Sequence, residues 1–401
     1  MIRNLAVDLT QPPARGFAQS GIRVANERAV LTLIALQPGS SNADLARQSG
    51  LGPQTTSRIV ADLEARDLVK RGDVLRGRRG QPATPLFINP DGAYVIGVDI
   101  GWRSLEVMLL SLAGQTLASV SRSYCYPDAD TLLDEVTAEV TALRAGLTDW
   151  QAARLVGIGV ASPGTIDRGI VFLGAPPEQV ERWRGLDIAA RLSAMTGLDV
   201  DRINDGSAAC WSEWLSLPMP WPACFACFHV GTYVSAGIIS NGALWEGRDG
   251  DAANLGAIIV PNALGEPATV QHVASMLALQ RRLEAVGIAL PAGNPLNWDW
   301  AGLQPVADAW LDDAGRALAI AVISSSAIVD FDQTLVDSVM PQALVARLVE
   351  RVNHHLALLP GGNRAPPVIM GGLGGAAAAR GASQIALFRR FFSREWKLFA
   401  T

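Results

Sequence analysis

The sequence predicts two architectures in series: a small helical head of the winged helix-turn-helix type, then a two-lobed α/β body. Two observations lead there. Three short helical patterns with tight Pro/Gly punctuation precede an Arg/Gly-rich segment within the first 90 residues. From Ala93 the apolar period changes from helical to β, and a strand, glycine turn, strand plan occurs twice.

The elements of the head follow in order. Residues 1–22 show no clear periodicity and carry Pro12-Pro13, which predicts an irregular arm. A helix is predicted from about Asn26 to Leu36, with Val30, Leu33 and Ile34 on one face, and Pro38-Gly39 stops it. Ser41 starts the next helix, with Asp44 placed for a capping box, and Gly50 ends it. Only Leu51-Gly52 separates that stop from Pro53, a good first-turn residue. The third helix covers about Pro53 to Arg66 and buries Ile59, Val60 and Leu63.

Two short helices with a tight glycine-containing turn are the helix-turn-helix plan, whose second helix enters the major groove by its N-terminal residues. Here those residues are Gln54, Thr55, Thr56, Ser57 and Arg58, all able to reach bases or phosphates. Lys70-Arg71-Gly72-Asp73 and then Arg76-Gly77-Arg78-Arg79-Gly80 read as a β-wing. Arg76, Arg78 and Arg79 are its candidates for the minor groove or the DNA backbone. A solvated basic loop or a generic three-helix bundle explains either feature alone, but not both in this order.

Composition sets outer limits. The chain has 401 residues, 49% apolar and 18% charged, with mean hydropathy +0.21, which excludes wholesale disorder. Four cysteines exclude a disulfide scaffold and fit a reducing compartment. No apolar signal core follows the first residues, so a cytoplasmic protein is expected. The uncharged stretch between Glu213 and Glu246 is broken by Pro218, Pro220 and Pro222, which favours buried strands over a membrane span. Residues 1–90 hold 12 Arg/Lys against 7 Asp/Glu, a net of +5. The remainder holds 21 against 31, a net of −10. A basic head on an acidic body suits a polyanion-binding module fused to something else.

In the body, strands are predicted at Tyr94 to Ile100, Leu105 to Leu112 and Gln115 to Val120. A helix at about Asp130 to Leu147 follows, with Asp130 as N-cap, then a buried strand at Leu155 to Val160. The plan partly repeats at Cys224 to Val230 and Ala236 to Ile239, with Asn241-Gly242 turning the chain. From Val270 the pattern is mainly helical, apart from a strand near Thr334 to Ser338. Two related halves imply a cleft between lobes that suits a small ligand.

Several segments in order resemble the ROK family (repressors, open reading frames, kinases) in its repressor form, from about residue 25 to 385. They are Gly52 to Arg58, Gly97-Val98-Asp99-Ile100-Gly101, Gly157 to Asp167, Asn204-Asp205-Gly206-Ser207-Ala208-Ala209, Gly231-Thr232 to Ile238, and Gly374 to Ala382. The resemblance implies a winged helix fused to a sugar-kinase-like, actin-like ATPase fold. It implies a division into 1–22 (arm), 23–92 (winged helix) and 93–401 (ROK domain, lobes about 93–208 and 209–401).

Asp205 matches the family's catalytic aspartate, here a vestigial base candidate, so no catalytic residue is expected. Kinase members carry Asp-Ile-Gly-Gly-Thr-Lys where this chain has Asp99-Ile100-Gly101-Trp102-Arg103-Ser104. Their second loop, Gly-Thr-Gly-Val-Gly-Ala-Gly, is here Gly231-Thr232-Tyr233-Val234-Ser235-Ala236-Gly237. Phosphoryl transfer rests on backbone cradling of phosphates, so the resemblance implies a non-enzyme with no cofactor. The family's zinc cluster is missing: no Cys follows Cys227, and the matching His position is Ala257.

The ligand candidates carried over are Gly164, Asn204, Asp205, Asn254 and Gln271, the last two replacing family glutamates. Amides both donate and accept, whereas carboxylates only accept, so plain glucose is not the expected effector and an anionic or acetylated ligand is better tolerated. The expected function is a sugar-responsive transcriptional regulator, most simply a repressor. Its expected partners are a double-stranded operator, a small sugar-type effector and a second or further copies of itself as a homodimer or homotetramer, without a membrane. Two alternatives stand: a sugar kinase with a fused head, and a regulator controlled by a protein partner.

Overall fold

The computed structural model describes residues 19–73 and 84–393. These fall into two compact units, one of residues 19–73, 84–89 and 391–393, the other of residues 90–390.

The head contains α1 (Gln19–Leu36), α2 (Asn42–Ser49) and α3 (Pro53–Ala65), followed by the antiparallel pair β1 (Val69–Arg71) and β2 (Leu86–Ile88). Its core is Val30, Leu31, Leu33, Ile34, Leu45, Ile59, Val60, Leu63 and Leu86, all essentially buried. The capping box forms as the sequence predicts. The Asp44 amide donates to Ser41 Oγ at 3.3 Å, and the Ser41 amide donates to Asp44 Oδ2 at 3.0 Å. Gly50 ends α2 at φ 68°, a left-handed conformation that glycine adopts without a Cβ penalty. α1 begins at Gln19, inside the expected arm and well before Asn26. Its first turns carry no apolar face to read, since Ile22 and Val24 are exposed. Ion pairs from Arg23 to Glu27 and Asp62 hold them instead. The Ser393 amide donates to Thr32 Oγ1 at 2.9 Å within this unit.

The second unit contains two five-stranded sheets of the same order. The first runs β5 (Thr116–Ser123), β4 (Ser104–Ser111), β3 (Tyr94–Ile100), β6 (Leu155–Ser162), β7 (Val200–Asn204). The second runs β10 (Ala243–Leu244), β9 (Val234–Ser240), β8 (Cys224–Val230), β13 (Gln333–Ser338), β14 (Val368–Met370). In each, the first three strands pair antiparallel and the last two join in parallel. A small hairpin, β11 (Ile259–Pro261) with β12 (Pro267–Thr269), stands apart. Helices α4 (Leu132–Ala145), α5 (Asp149–Ala152), α6 (Ile166–Gly169), α7 (Pro177–Trp183) and α8 (Ile188–Thr196) belong to the first half. Helices α10 (Val270–Ala274), α11 (Met276–Ala285), α12 (Val306–Ser326) and α13 (Gln342–Leu358) belong to the second.

Two helices, α9 (Asp205–Ser216) and α14 (Ala377–Phe391), lie close against sheet backbone and against each other. A Cβ at Gly97 or Gly159 would overlap the carbonyls of Ala379 and Ala382, so α14 lies against the bare backbone of β3 and β6. A Cβ at Gly381 would overlap Ala208 of α9, and one at Gly206 would overlap Ala236 of β9. Backbone approach of this kind leaves no freedom in where the N-terminus of α9 sits.

Three local expectations change. Asp130 is not the N-cap of α4: the cap position is Thr131, and Asp128 Oδ1 instead accepts the amides of Asp130 and Thr131 at 2.9 and 3.2 Å. An aspartate two residues ahead closes an Asx turn that competes with capping. β14 was missed in a region that reads as helical and the hairpin strands in a stretch ahead of it given no element, because three-residue strands carry too little pattern. β7 was missed because it alternates weakly, with Asp201 and Arg202 exposed.

A pair of buried carboxyls closes the inner end of the second sheet. Glu213 of α9 accepts the Leu373 amide at 2.9 Å and the Gly372 amide at 3.3 Å. Asp337 of β13, fully buried, accepts the Gly374 amide at 2.6 Å. Burial, reinforced by Asp337, pushes the Glu213 carboxyl up to about 8. A carboxyl raised in the folded state contributes stability below its ordinary value of 4.5 and loses it as pH rises through about 8. Glu213→Gln is therefore expected to flatten the fall in thermal midpoint from about pH 5 to about pH 9, with scanning calorimetry as the check. Ser41→Ala is expected to cost the head about 1 kcal/mol, read as a lower midpoint for its unfolding.

Candidate nucleic-acid face and interlobe cleft

The N-terminus of α3 is built to be uncommitted. Its N-cap is Gly52, with no side-chain cap, and Pro53 follows at the first helical position. Gln54, Ser57 and Arg58 are exposed and Thr55 is half-exposed. Arg58 makes no ion pair among the described residues, whereas Arg23, Arg47, Arg66 and Arg71 are each tied to a carboxylate. Arg71 is held bidentate by Glu64 at 2.6 and 2.8 Å. Thr56 corrects the sequence expectation. It is fully buried and its Oγ1 donates to Gly52 O at 3.3 Å, so its side chain faces the head's core and not a DNA groove. The helical period explains it, since position 56 shares a face with Ile59, Val60 and Leu63. Arg76, Arg78 and Arg79 lie outside the described residues.

In the second unit, a group of polar side chains gathers where β6 and β7 end. Asn204 is the N-cap of α9, its Oδ1 accepting the Ser207 amide at 3.2 Å, which leaves its amide nitrogen as a donor. Asp205 opens α9. Burial raises its carboxyl above the ordinary range, and the Gly206 amide and His229 pull it back. Asp99, only 9% exposed, is held well above the ordinary range, first by burial and then by Asp205 and Glu106. Its Oδ1 has no hydrogen-bond partner among the described residues.

Gly164 takes part through what it lacks. The carboxylate of Asp251 lies where its Cβ would be. Asp251 also raises Asp205 electrostatically, so Gly164, Asp205 and Asp251 are brought together. Motif matching missed Asp251 because it placed the acceptor at 254. The local signal was the turn Asp249-Gly250-Asp251 directly upstream. Asn254 is exposed and Gln271 half-buried, and neither side chain makes a hydrogen bond among the described residues. The set is rich in carboxyls, with Asp99, Asp205 and Asp251, beside the His229 imidazole and the Asn204 amide nitrogen as a donor.

The two glycine turns show what replaced their glycines. Trp102, in the turn between β3 and β4, meets Tyr233, in the turn between β8 and β9, edge to face at 4.6 Å between centroids. Tyr233 Oη donates to Gly169 O at 2.8 Å, and the Trp102 indole lies so close to Gly169 that no Cβ would fit there. Arg103 Nη2 donates to Gln280 Oε1 at 2.8 Å, and burial lowers the pKa of its guanidinium. Burial also pushes the Tyr233 phenol up to about 12. Side chains thus pack between the two turns.

The residues present do not fit a zinc ion. Cys224 and Cys227 lie on one strand, one half-buried and one buried, with Ala257 at the matching histidine position. Among the described residues no group of three or more His, Cys, Asp or Glu could hold a metal, and no helix is long and apolar enough to cross a membrane.

Comparison with known proteins agrees with this architecture. The ROK family model matches residues 95–389, and the MarR family model matches residues 20–80. The uncharacterised protein y4fQ of Sinorhizobium fredii is 26% identical over 381 residues, 92% of each chain. The DNA-binding transcriptional dual regulator NagC of Escherichia coli is 27% identical over 261 residues, 63% of this chain and 62% of that one. The glucokinase of Thermotoga maritima is 31% identical over 199 residues, 47% of this chain and 59% of that one. A solved ROK family transcriptional regulator, described as a homolog of the E. coli MLC protein, superposes with TM-score 0.68 at 21% identity, covering 92% of this chain and 97% of its own. The chain belongs to the ROK family, with a MarR-like winged-helix domain ahead of a sugar-kinase-like ROK domain.

Proposed function

We propose that this protein is a DNA-binding transcriptional regulator, a repressor of carbohydrate-related genes, controlled by a sugar-type effector in the interlobe cleft. The observation that carries the reading is the free N-terminus of α3, with Gln54, Ser57 and Arg58 exposed and Arg58 unpaired among the described residues, on a MarR-like head fused to a ROK domain. Thr55 joins them at the edge, and Arg76, Arg78 and Arg79, outside the described residues, are the further candidates for DNA contact. A repressor dimer or tetramer presents two such helices to an inverted repeat. NagC, similar over part of both chains, is named as a DNA-binding regulator.

The protein works without phosphoryl transfer in this reading. That chemistry depends on positioning phosphates against backbone amides, and Trp102 with Tyr233 fills the turns that would do so. A kinase is the second reading, and Asp205 at the start of α9 is what favours it. ATP turnover that disappears in Asp205→Asn would establish it.

Asp251 revises the expected effector. The amides at 254 and 271 alone suit an anionic ligand, but Asp251 adds a carboxylate beside Asp205. A ligand there meets acceptors first, so hydroxyl-rich, uncharged or acetylated sugars are favoured over phosphorylated ones. Asn204 and Asp205 would orient it over Gly164, with Asn254 and Gln271 at the rim.

Fluorescence anisotropy on the protein's own upstream DNA, titrated with salt, tests the proposal. Nanomolar binding with a steep salt dependence is expected. Arg58→Ala should weaken it by roughly tenfold or more, while Thr56→Val leaves it near wild type. Binding no tighter than to random DNA, unchanged by Arg58→Ala, contradicts the proposal.

A further inference from the structure

We propose that Trp102, Tyr233 and Arg103 form a built-in bridge between the two lobes of the ROK domain, standing where a nucleotide would otherwise link them. The two sheets share one strand order, so the β3–β4 and β8–β9 turns are topologically equivalent. These equivalent turns face one another, and each presents one aromatic ring to the other.

Three contacts cross the gap. Trp102 packs with the core of the first sheet and meets Tyr233 of the second at 4.6 Å. Tyr233 Oη reaches back to Gly169 O at the end of α6, 2.8 Å away. Arg103, from the first turn, donates to Gln280 of α11 at 2.8 Å, and α11 is part of the second sheet's core. The bridge is made of side chains of both halves and needs no soluble molecule.

The arrangement has a functional consequence. In a two-lobed domain whose phosphate turns are bare, lobe spacing at this end depends on what binds between them. Here the spacing is set internally, and only the polar end of the cleft, with Asp205 and Asp251, is left to respond to a ligand. Closure then reports the effector alone. Edge-to-face aromatic contacts and a half-buried hydrogen bond are modest interactions, so the bridge steadies the lobes without locking them. The bridge itself is independent of the DNA-binding reading and of the effector's identity, while its consequence for closure rests on the proposed effector site between the lobes.

Hydrogen–deuterium exchange on the full chain tests it, with each substitution read in the opposite lobe. Tyr233→Phe removes the hydrogen bond and keeps the ring. Exchange across residues 166–174 of the first lobe should rise by roughly two- to tenfold. Trp102→Ala should raise exchange at residues 231–235 and in α11, with the sheet interiors protected as in wild type. Adding AMP-PNP to the wild-type protein should leave both turns unchanged. Exchange that rises only in the substituted lobe, or not at all, overturns the bridge. So does protection of residues 101–104 and 231–235 by AMP-PNP, because it would mean that the turns still open to phosphate. A variant that melts globally shows a uniform rise; the conservative Tyr233→Phe then decides the matter.

Discussion

The close approach of α9 and α14 to bare sheet backbone is the constraint on which the ROK domain depends. Gly97, Gly159, Gly206 and Gly381 each stand where a Cβ would strike a neighbouring carbonyl or chain segment. Any larger residue would push a helix off its sheet, and interiors packed to this density do not absorb such a shift cheaply. The reward is positional. α9 starts at one place relative to β6, β7 and β9, so Asn204 and Asp205 stand fixed where β7 ends, and Glu213 at the other end of the helix holds the 372–373 amides. The same helix therefore ties Asn204 and Asp205 to the buried pair Glu213 and Asp337.

The chemistry of the cleft follows from what surrounds each carboxyl. Asp99 and Asp205 are raised by burial before any neighbour acts, and each further acidic group adds to the effect. Both carboxyls therefore hold their protons more tightly than a free aspartate does. Elsewhere in the same unit, Trp102, Arg103 and Tyr233 occupy the β3–β4 and β8–β9 turns and join them through side chains.

Much of this was legible in the sequence, and the pattern of success is physical. Long buried strands such as β3 and β8 carry continuous apolar runs and were placed to the residue, and the Ser41 to Gly50 helix was set by caps acting over a few residues. Motif spacing carried the ROK resemblance because backbone-critical glycines tolerate little change. Other features were hidden. Thr56 is polar by type, yet the helical period turns it inward. Asp251 stands beside Gly164 through a contact far along the chain, and the sequence marks only the turn that carries it. The contact of Trp102 with Tyr233 joins residues far apart in the chain, and each alone read only as a lost glycine.

The most direct test of the account measures operator affinity with and without sugars, in wild-type protein and in Asp251→Asn. Allostery is a coupling free energy, so a sugar that binds the cleft must change DNA affinity, typically by about 5- to 150-fold. The account predicts that a neutral or acetylated sugar shifts operator affinity, that its phosphorylated counterpart does so less, and that Asp251→Asn blunts the response without altering affinity for DNA alone. A sugar that binds the cleft tightly and leaves operator affinity unchanged would contradict it.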